Sequence, residues 1–105
     1  MKLIEAYIQT CMVDKVIHAL EENGAPKLTT IDIRALGNKK NPKPSNQPET
    51  YRMLAKLEII CRKEDVEKTI DTIFKNAWSG HKDEGIIILS PIEKIIKIRT
   101  GKIVN

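Results

Sequence analysis

Two spacings of apolar residues alternate along the chain. KLIEAYIQ places Ile4, Ala6 and Ile8 on one side of an extended segment, the signature of a first strand. Val16, Ile17 and Leu20 then form a helical stripe. Asp14 caps or opens that helix, and Gly24 stops it with Pro26 just beyond. LTTIDIRAL returns to strict alternation, with Ile31 and Ile33 against Asp32 and Arg34. In RMLAKLEIIC, Met53, Ala55, Leu57 and Ile59 stand opposite Lys56 and Glu58. EDVEKTIDTIFKNAW carries Val66, Ile70, Ile73, Phe74 and Ala77 at helical spacing, which assigns Phe74 and the adjoining Trp78 to the core. GIIIL reads as a short buried strand, and a turn at Ser90 and Pro91 leads to a final strand, IIKIR.

The order strand, helix, strand, strand, helix, divided strand predicts the α+β split βαβ arrangement, a ferredoxin-like βαββαβ sandwich with helices on one face of an antiparallel sheet. The alternation leaves Glu5, Tyr7, Thr30, Asp32, Arg34, Lys56 and Glu58 on a mixed side that faces solvent or another copy of the chain. Between the second and third strands runs GNKKNPKPSNQPET, rich in proline and almost free of apolar residues. A connection of that length, spanning about 37–51, is expected to be a flexible loop that orders on a ligand or partner.

The strongest chemical signal lies near the carboxyl end. On a strand, Lys97 and Arg99 share one face roughly 7 Å apart, and the Gly-bearing loop SGHKDEG lies just upstream. Arg supplies a planar fork and Lys a point charge. With the free N–H groups of a glycine loop they suit a polyphosphate better than a single carboxylate. The competing reading is an edge strand kept soluble by cations.

Charge distribution sharpens this picture. The net charge is +4, yet residues 37–51 carry +2 and residues 92–105 carry +3, leaving the remainder at −1. Such localisation favours a discrete anionic ligand over a basic surface for nucleic acid. RMLAKLEII also lacks the aromatic residues on which RNA-recognition sheets stack bases. At 105 residues, 41% hydrophobic and 30% charged, the chain is expected to be one domain over 1–105 whose stability benefits from oligomerisation. MKLIEAYIQT has no signal-peptide pattern, so a cytoplasmic location is expected. Cys11, Cys61, His18 and His81 show no metal-ligand spacing, and Cys11 is expected to be a small packing residue. No nucleophile–base or paired-carboxylate constellation emerges, which points away from an enzyme.

MKLIEA, ALEENG, LTTIDIRALG, KLEII, SGHKDEG and SPIEKIIKIRTG, taken in order, resemble the PII nitrogen-regulatory signal-transduction family from end to end, within its PII-like branches. The resemblance implies a homotrimer that binds ATP or ADP in clefts between subunits and acts on a target protein, such as a transporter, through the long T-loop. It places the adenine end near Thr29, Glu58 and Ile60. The phosphates would lie near Gly37, Asn38 and Lys39, the backbone of Asp83, Glu84 and Gly85, and the cations Lys97 and Arg99. Departures from the family pattern are Lys39 where a Gln often helps hold magnesium and 2-oxoglutarate, Leu54 or its neighbour for a Lys, and Ile86 for a basic residue. They imply that the 2-oxoglutarate response is absent and leave magnesium open. The loop is also shorter than in nitrogen regulators, so Tyr51 is not equated with the tyrosine modified in some members. A CutA-like trimeric metal-tolerance protein shares the architecture but lacks the IRTG ending, and a ferredoxin-like RNA-binding module is the remaining alternative.

Overall fold

A strand with small and branched apolar residues at every second position can seat a helix layer on one face and pair on both edges. β1 (Lys2–Gln9) does so. In this computed structural model, which describes residues 1–25, 27–36, 52–80 and 85–104, Ile4, Ala6 and Ile8 are buried beneath the helices. β1 pairs antiparallel with β3 (Arg52–Cys61) on one side and β4 (Gly85–Pro91) on the other. β2 (Leu28–Ala35) pairs antiparallel with β3, so the sheet order is β2-β3-β1-β4. Each helix, α1 (Val13–Glu22) or α2 (Val66–Ala77), crosses between two parallel strands that have a third strand between them. This is the ferredoxin-like α+β topology read from the sequence.

The core is the seam between the helices and one sheet face. Val16 and Leu20 of α1 and Val66 and Ile73 of α2 pack with Ile4, Ala6, Ile8, Ala55, Leu57, Ile59 and Cys61. Truncating one of the larger buried side chains to Ala costs about 2–5 kcal/mol in comparable cores. α1 starts behind Met12 with no side-chain cap, so Asp14 does not cap it but sits in the first turn, where its charge complements the helix dipole. The helix stops as expected. Gly24 takes φ 70°, and the N–H groups of Gly24 and Ala25 donate to Glu21 and Leu20 carbonyls at 3.0 and 2.9 Å. Thr69 and Thr72 are buried and polar, and their hydroxyls donate to the Asp65 and Lys68 carbonyls, each at 2.8 Å.

Several expectations are corrected. Phe74 and Trp78 lie outside the core, 58% and 62% exposed, because Val66, Thr69, Thr72 and Ile73 form the face that α2 presents to the sheet. β4 is not a buried strand but an exposed edge strand that continues through Ser90 and Pro91, with Ile86, Ile88 and Leu89 in solvent. The last strand breaks early. β5 (Ile95–Ile96) pairs only with β6 (Ile103–Val104), and the chain reverses between them: the Gly101 N–H donates to the Lys97 carbonyl at 2.7 Å, and the Lys97 N–H donates to that of Lys102 at 3.0 Å. Lys97 and Arg99 therefore belong to a hairpin, not to one face of a strand. Cys11 is exposed rather than packed, whereas Cys61 is buried. The long 37–51 loop lies outside the described residues.

Register also corrects the mixed face. Thr30, Asp32 and Arg34 stand opposite Leu57, Ala55 and Met53, whereas Ile31 and Ile33 stand opposite Lys56 and Leu54. The even-numbered β2 residues thus point to the helix side, and the open face carries Ile31 and Ile33. Thr30, Asp32 and Arg34 stay exposed because the helix layer does not cover this edge strand. At the centre of the open face, the Lys56 Nζ donates to Glu5 Oε2 at 2.9 Å, lies 3.7 Å from Glu58 Oε2 and sits 5.8 Å above the Tyr7 ring. The hydrogen bond to Glu5 holds the Lys56 pKa above its ordinary value, and burial pushes the Cys61 thiol up.

Two outcomes follow from this packing. Gly85 has φ 120°, and a Cβ built there would lie 1.7 Å from the Tyr7 carbonyl oxygen. Gly85→Ala should therefore lower unfolding free energy by at least about 2 kcal/mol in urea titration, since strain and collision add. Groups with raised pKa values contribute stability that is complete below their ordinary values, near 9.0 for Cys61 and 10.5 for Lys56, and lost as pH rises through the raised ones. The urea midpoint should fall between about pH 8 and about pH 11, and the fall should be smaller in Cys61→Ala and in Lys56→Met than in the parent.

Candidate functional site

Strand pairing settles which of the expected ligand residues meet. Thr29 on β2 stands directly opposite Glu58 on β3, and Ile60 follows two residues on along the same face. Thr29 and Ile60 are exposed and Glu58 is half-buried, its carboxylate turned toward Lys56. These three residues form a small platform with a hydroxyl, a carboxylate and an apolar side chain. Such a set matches the flat face and polar edge of a base.

The remaining residues divide by position along β1. Glu58 is opposite Glu5, midway along β1, and Ile60 is opposite Leu3, so the platform runs from the middle of the sheet toward the start of β1. β4 ends with Pro91 opposite Lys2, and the Ile92 N–H donates to the Met1 carbonyl at 3.3 Å, so the chain enters the β5–β6 hairpin from this same end. Gly85, by contrast, is opposite Ile8. β2 and β3 also close there, with Ala35 opposite Arg52 beyond the Gln9–Leu54 pair. Six residue steps of strand separate Lys2 from Ile8, about 20 Å.

Ile60 and the start of the hairpin with Lys97 and Arg99 thus lie toward one end of the sheet, Gly85 marks the other, and the Thr29–Glu58 pair stands midway, opposite Glu5. Gly37, Asn38 and Lys39, which follow Leu36, and Asp83 and Glu84, which precede Gly85, lie outside the described residues. Their chain neighbours Leu36 and Gly85 both stand at the Gly85 end. The expected ligand residues that are described are therefore spread along the sheet rather than gathered at one point.

Lys97 and Arg99 are exposed, and neither is paired with an acidic side chain among the described residues. Thr100 and Gly101 form the reversal, with the Thr100 hydroxyl accepting from the Lys102 N–H at 3.2 Å and Gly101 at φ 67°. The turn holds the two cations on a short arm beyond the sheet. Unpaired guanidinium and ammonium groups on such an arm keep their full capacity for phosphate oxygens.

Sequence reasoning missed the features near Gly85. Phe74, Trp78, Ile87 and Gly85 rim a cavity of about 290 Å³ above Ile8 and Ile73. The available signal was the row of three aliphatic residues after Gly85, which reads equally as a buried strand. His18 pairs with Glu22 at 3.0 Å on the surface of α1, and His81 lies outside the described residues. Among the described residues no group of three or more His, Cys, Asp or Glu side chains could hold a metal ion, and no helix is long and apolar enough to cross a membrane.

Comparison with known proteins adds an independent line. A family model described as Nitrogen regulatory protein P-II matches residues 1–102. The chain is 32% identical to Nitrogen regulatory protein P-II 2 of Methanothermobacter thermautotrophicus, covering 97% of this chain and 92% of that protein. It is 34% identical to the Nitrogen regulatory protein P-II of Bradyrhizobium diazoefficiens, over 97% and 95% of the two chains. It is 33% identical to that of Pyropia yezoensis, over 96% and 94%. With its topology, register and full-length similarity in agreement, the chain belongs to the nitrogen regulatory P-II family of signal-transduction proteins.

Proposed function

We propose that this protein is a PII-like regulator, one domain over 1–105, whose homotrimer binds ATP or ADP in the clefts between its subunits. The observation that supports this reading best is the separation of Gly85 from the hairpin that carries Lys97 and Arg99, at opposite ends of one sheet. A single nucleotide cannot reach Gly85 and Lys97 across about 20 Å of strand. A head-to-tail neighbour presents the complementary half, and such contacts close into a ring when the rotation permits.

In the assembled cleft, Thr29, Glu58 and Ile60 of one subunit receive the adenine. Gly37, Asn38, Lys39 and the backbone of Asp83, Glu84 and Gly85 of the next cradle the phosphates, with Lys97 and Arg99 closing over them. Nucleotide occupancy sets the loop over 37–51, and that loop contacts a target protein, with a transporter the favoured class. Lys39, Leu54 and Ile86 stand where 2-oxoglutarate ligands are usual in the family, so the reading excludes that effector. Regulation rather than catalysis fits the family, and the protein works in the cytoplasm.

Isothermal titration tests the reading. Arg99→Ala should weaken ATP or ADP binding by roughly one to two orders of magnitude, the loss of a charged bidentate phosphate contact. Asn38→Ala/Lys39→Ala should weaken it from the other half-site. Trimers assembled from a mixture of the two variants should regain some high-affinity clefts, because each supplies the half that the other lacks. Affinity unchanged by Arg99→Ala, or no recovery on mixing, refutes the split cleft.

A further inference from the structure

The groove at the Gly85 end of the sheet is built from side chains that a lone subunit leaves in water. Phe74 and Trp78 are each more than half exposed, and together with Gly85 and Ile87 they surround about 290 Å³ of apolar space above Ile8 and Ile73. That volume lies just below the span of roughly 300–1,000 Å³ usual for small-molecule pockets. It suits an inserted side chain better than a cofactor.

The opposite end of the molecule carries a matching projection. Ile98 is 100% exposed in the turn of the β5–β6 hairpin, set between Lys97 and Arg99. From Ile95 to Val104 the hairpin holds Lys97, Arg99 and Lys102 and no acidic residue. The groove complements that charge. α2 ends beside it at Ala77, so the partly negative pole of the helix dipole meets the basic hairpin, and the Phe74 and Trp78 rings attract cations at their faces. Within one subunit the knob and the groove lie at opposite ends of the sheet and do not meet.

We propose that Ile98 of one copy of the chain seats in the Phe74–Trp78–Ile87 groove of the next copy. The contact rests on the inter-subunit cleft proposed above and adds to it an apolar anchor separate from the phosphate ligands. With Ile98 fixed, Lys97 and Arg99 are delivered beside Gly85 before any nucleotide arrives, which reduces the ordering cost of binding.

Trp78 is the chain's only tryptophan, so its fluorescence reads the contact directly. Acrylamide quenching and emission wavelength are measured on the full chain beside sedimentation velocity and ATP titration, for the parent, Ile98→Asp and Arg99→Ala. Because Ile98 makes no buried contact in the subunit, Ile98→Asp leaves the fold intact by circular dichroism. The expected result is a shielded Trp78 in the parent oligomer and a red-shifted, more readily quenched Trp78 in Ile98→Asp. Association in that variant weakens about tenfold or more, the effect of losing one buried aliphatic side chain. Arg99→Ala loses nucleotide affinity yet keeps Trp78 shielded.

An oligomeric parent whose Trp78 is quenched as readily as that of Ile98→Asp overturns the anchor while leaving the shared cleft standing. Unshielding of Trp78 by Arg99→Ala to the same degree as by Ile98→Asp also overturns it, since the contact would then be polar. A parent that stays monomeric at every concentration overturns the shared cleft and the anchor together.

Discussion

The pairing of β1 on both of its edges is the constraint from which the rest of the subunit follows. Its register against β3 and β4 puts Ile4, Ala6 and Ile8 under the helices, and the same register puts Glu5 and Tyr7 on the open face beside Lys56 and Glu58. A slip of one residue would exchange these two sets and destroy the core and the ion cluster at once. Gly85 guards the register at the far end, because only a residue without a side chain fits against the Tyr7 carbonyl. The strand that organises the core is thus also the ruler that sets Gly85 and the start of the carboxyl-end hairpin about 20 Å apart.

That separation has an energetic counterpart. The subunit is well packed on one side of its sheet and leaves Ile31, Ile60, Ile86 and Ile88 on the other, around a lysine shared by two carboxylates. Isolated exposed aliphatics are ordinary on any protein surface. Several on one sheet face mark a surface to be covered. Covering it would remove the Glu5, Glu58 and Lys56 charges from water, a cost that their mutual contacts already partly offset in the single subunit.

The alternating strands β1 and β3 were legible because their core faces are buried and their other faces are polar, the condition under which period-two reading works. The helices were legible from their stripes and from Gly24. β2 was misread by one face: as an edge strand with little cover it shows Ile31 and Ile33 on the open side and Thr30, Asp32 and Arg34 on the other, so polarity alone does not reveal which face packs. β4 carries consecutive isoleucines with no alternation at all, and a strand of that kind gives no sign of whether helices or a neighbouring subunit will bury it. The early end of the last strand was hidden for a related reason. IIKIR alternates well, but the turn at Thr100 and Gly101 and its hydrogen bonds to Lys97 outweigh the alternation.

For the candidate site, the sequence supplied residue types but not their arrangement. Lys97, Arg99 and the glycine of SGHKDEG were singled out as candidate phosphate ligands from residue type alone, yet sequence proximity suggested one cradle where the fold sets Gly85 and the hairpin at opposite ends. The distinction matters for how such a protein signals. If one subunit held the whole site, nucleotide binding would report only on that subunit. A site divided between two subunits makes occupancy and assembly depend on each other, because each binding event draws on contacts from both copies and linkage makes the coupling reciprocal. To carry a loop from a ratio of about 1:99 to about 99:1, a nucleotide must favour one arrangement roughly 10⁴-fold. In the proposed assembly, cations on a hairpin positioned by a neighbour would be a source of such a preference, since their contacts with phosphate would exist only in the closed arrangement.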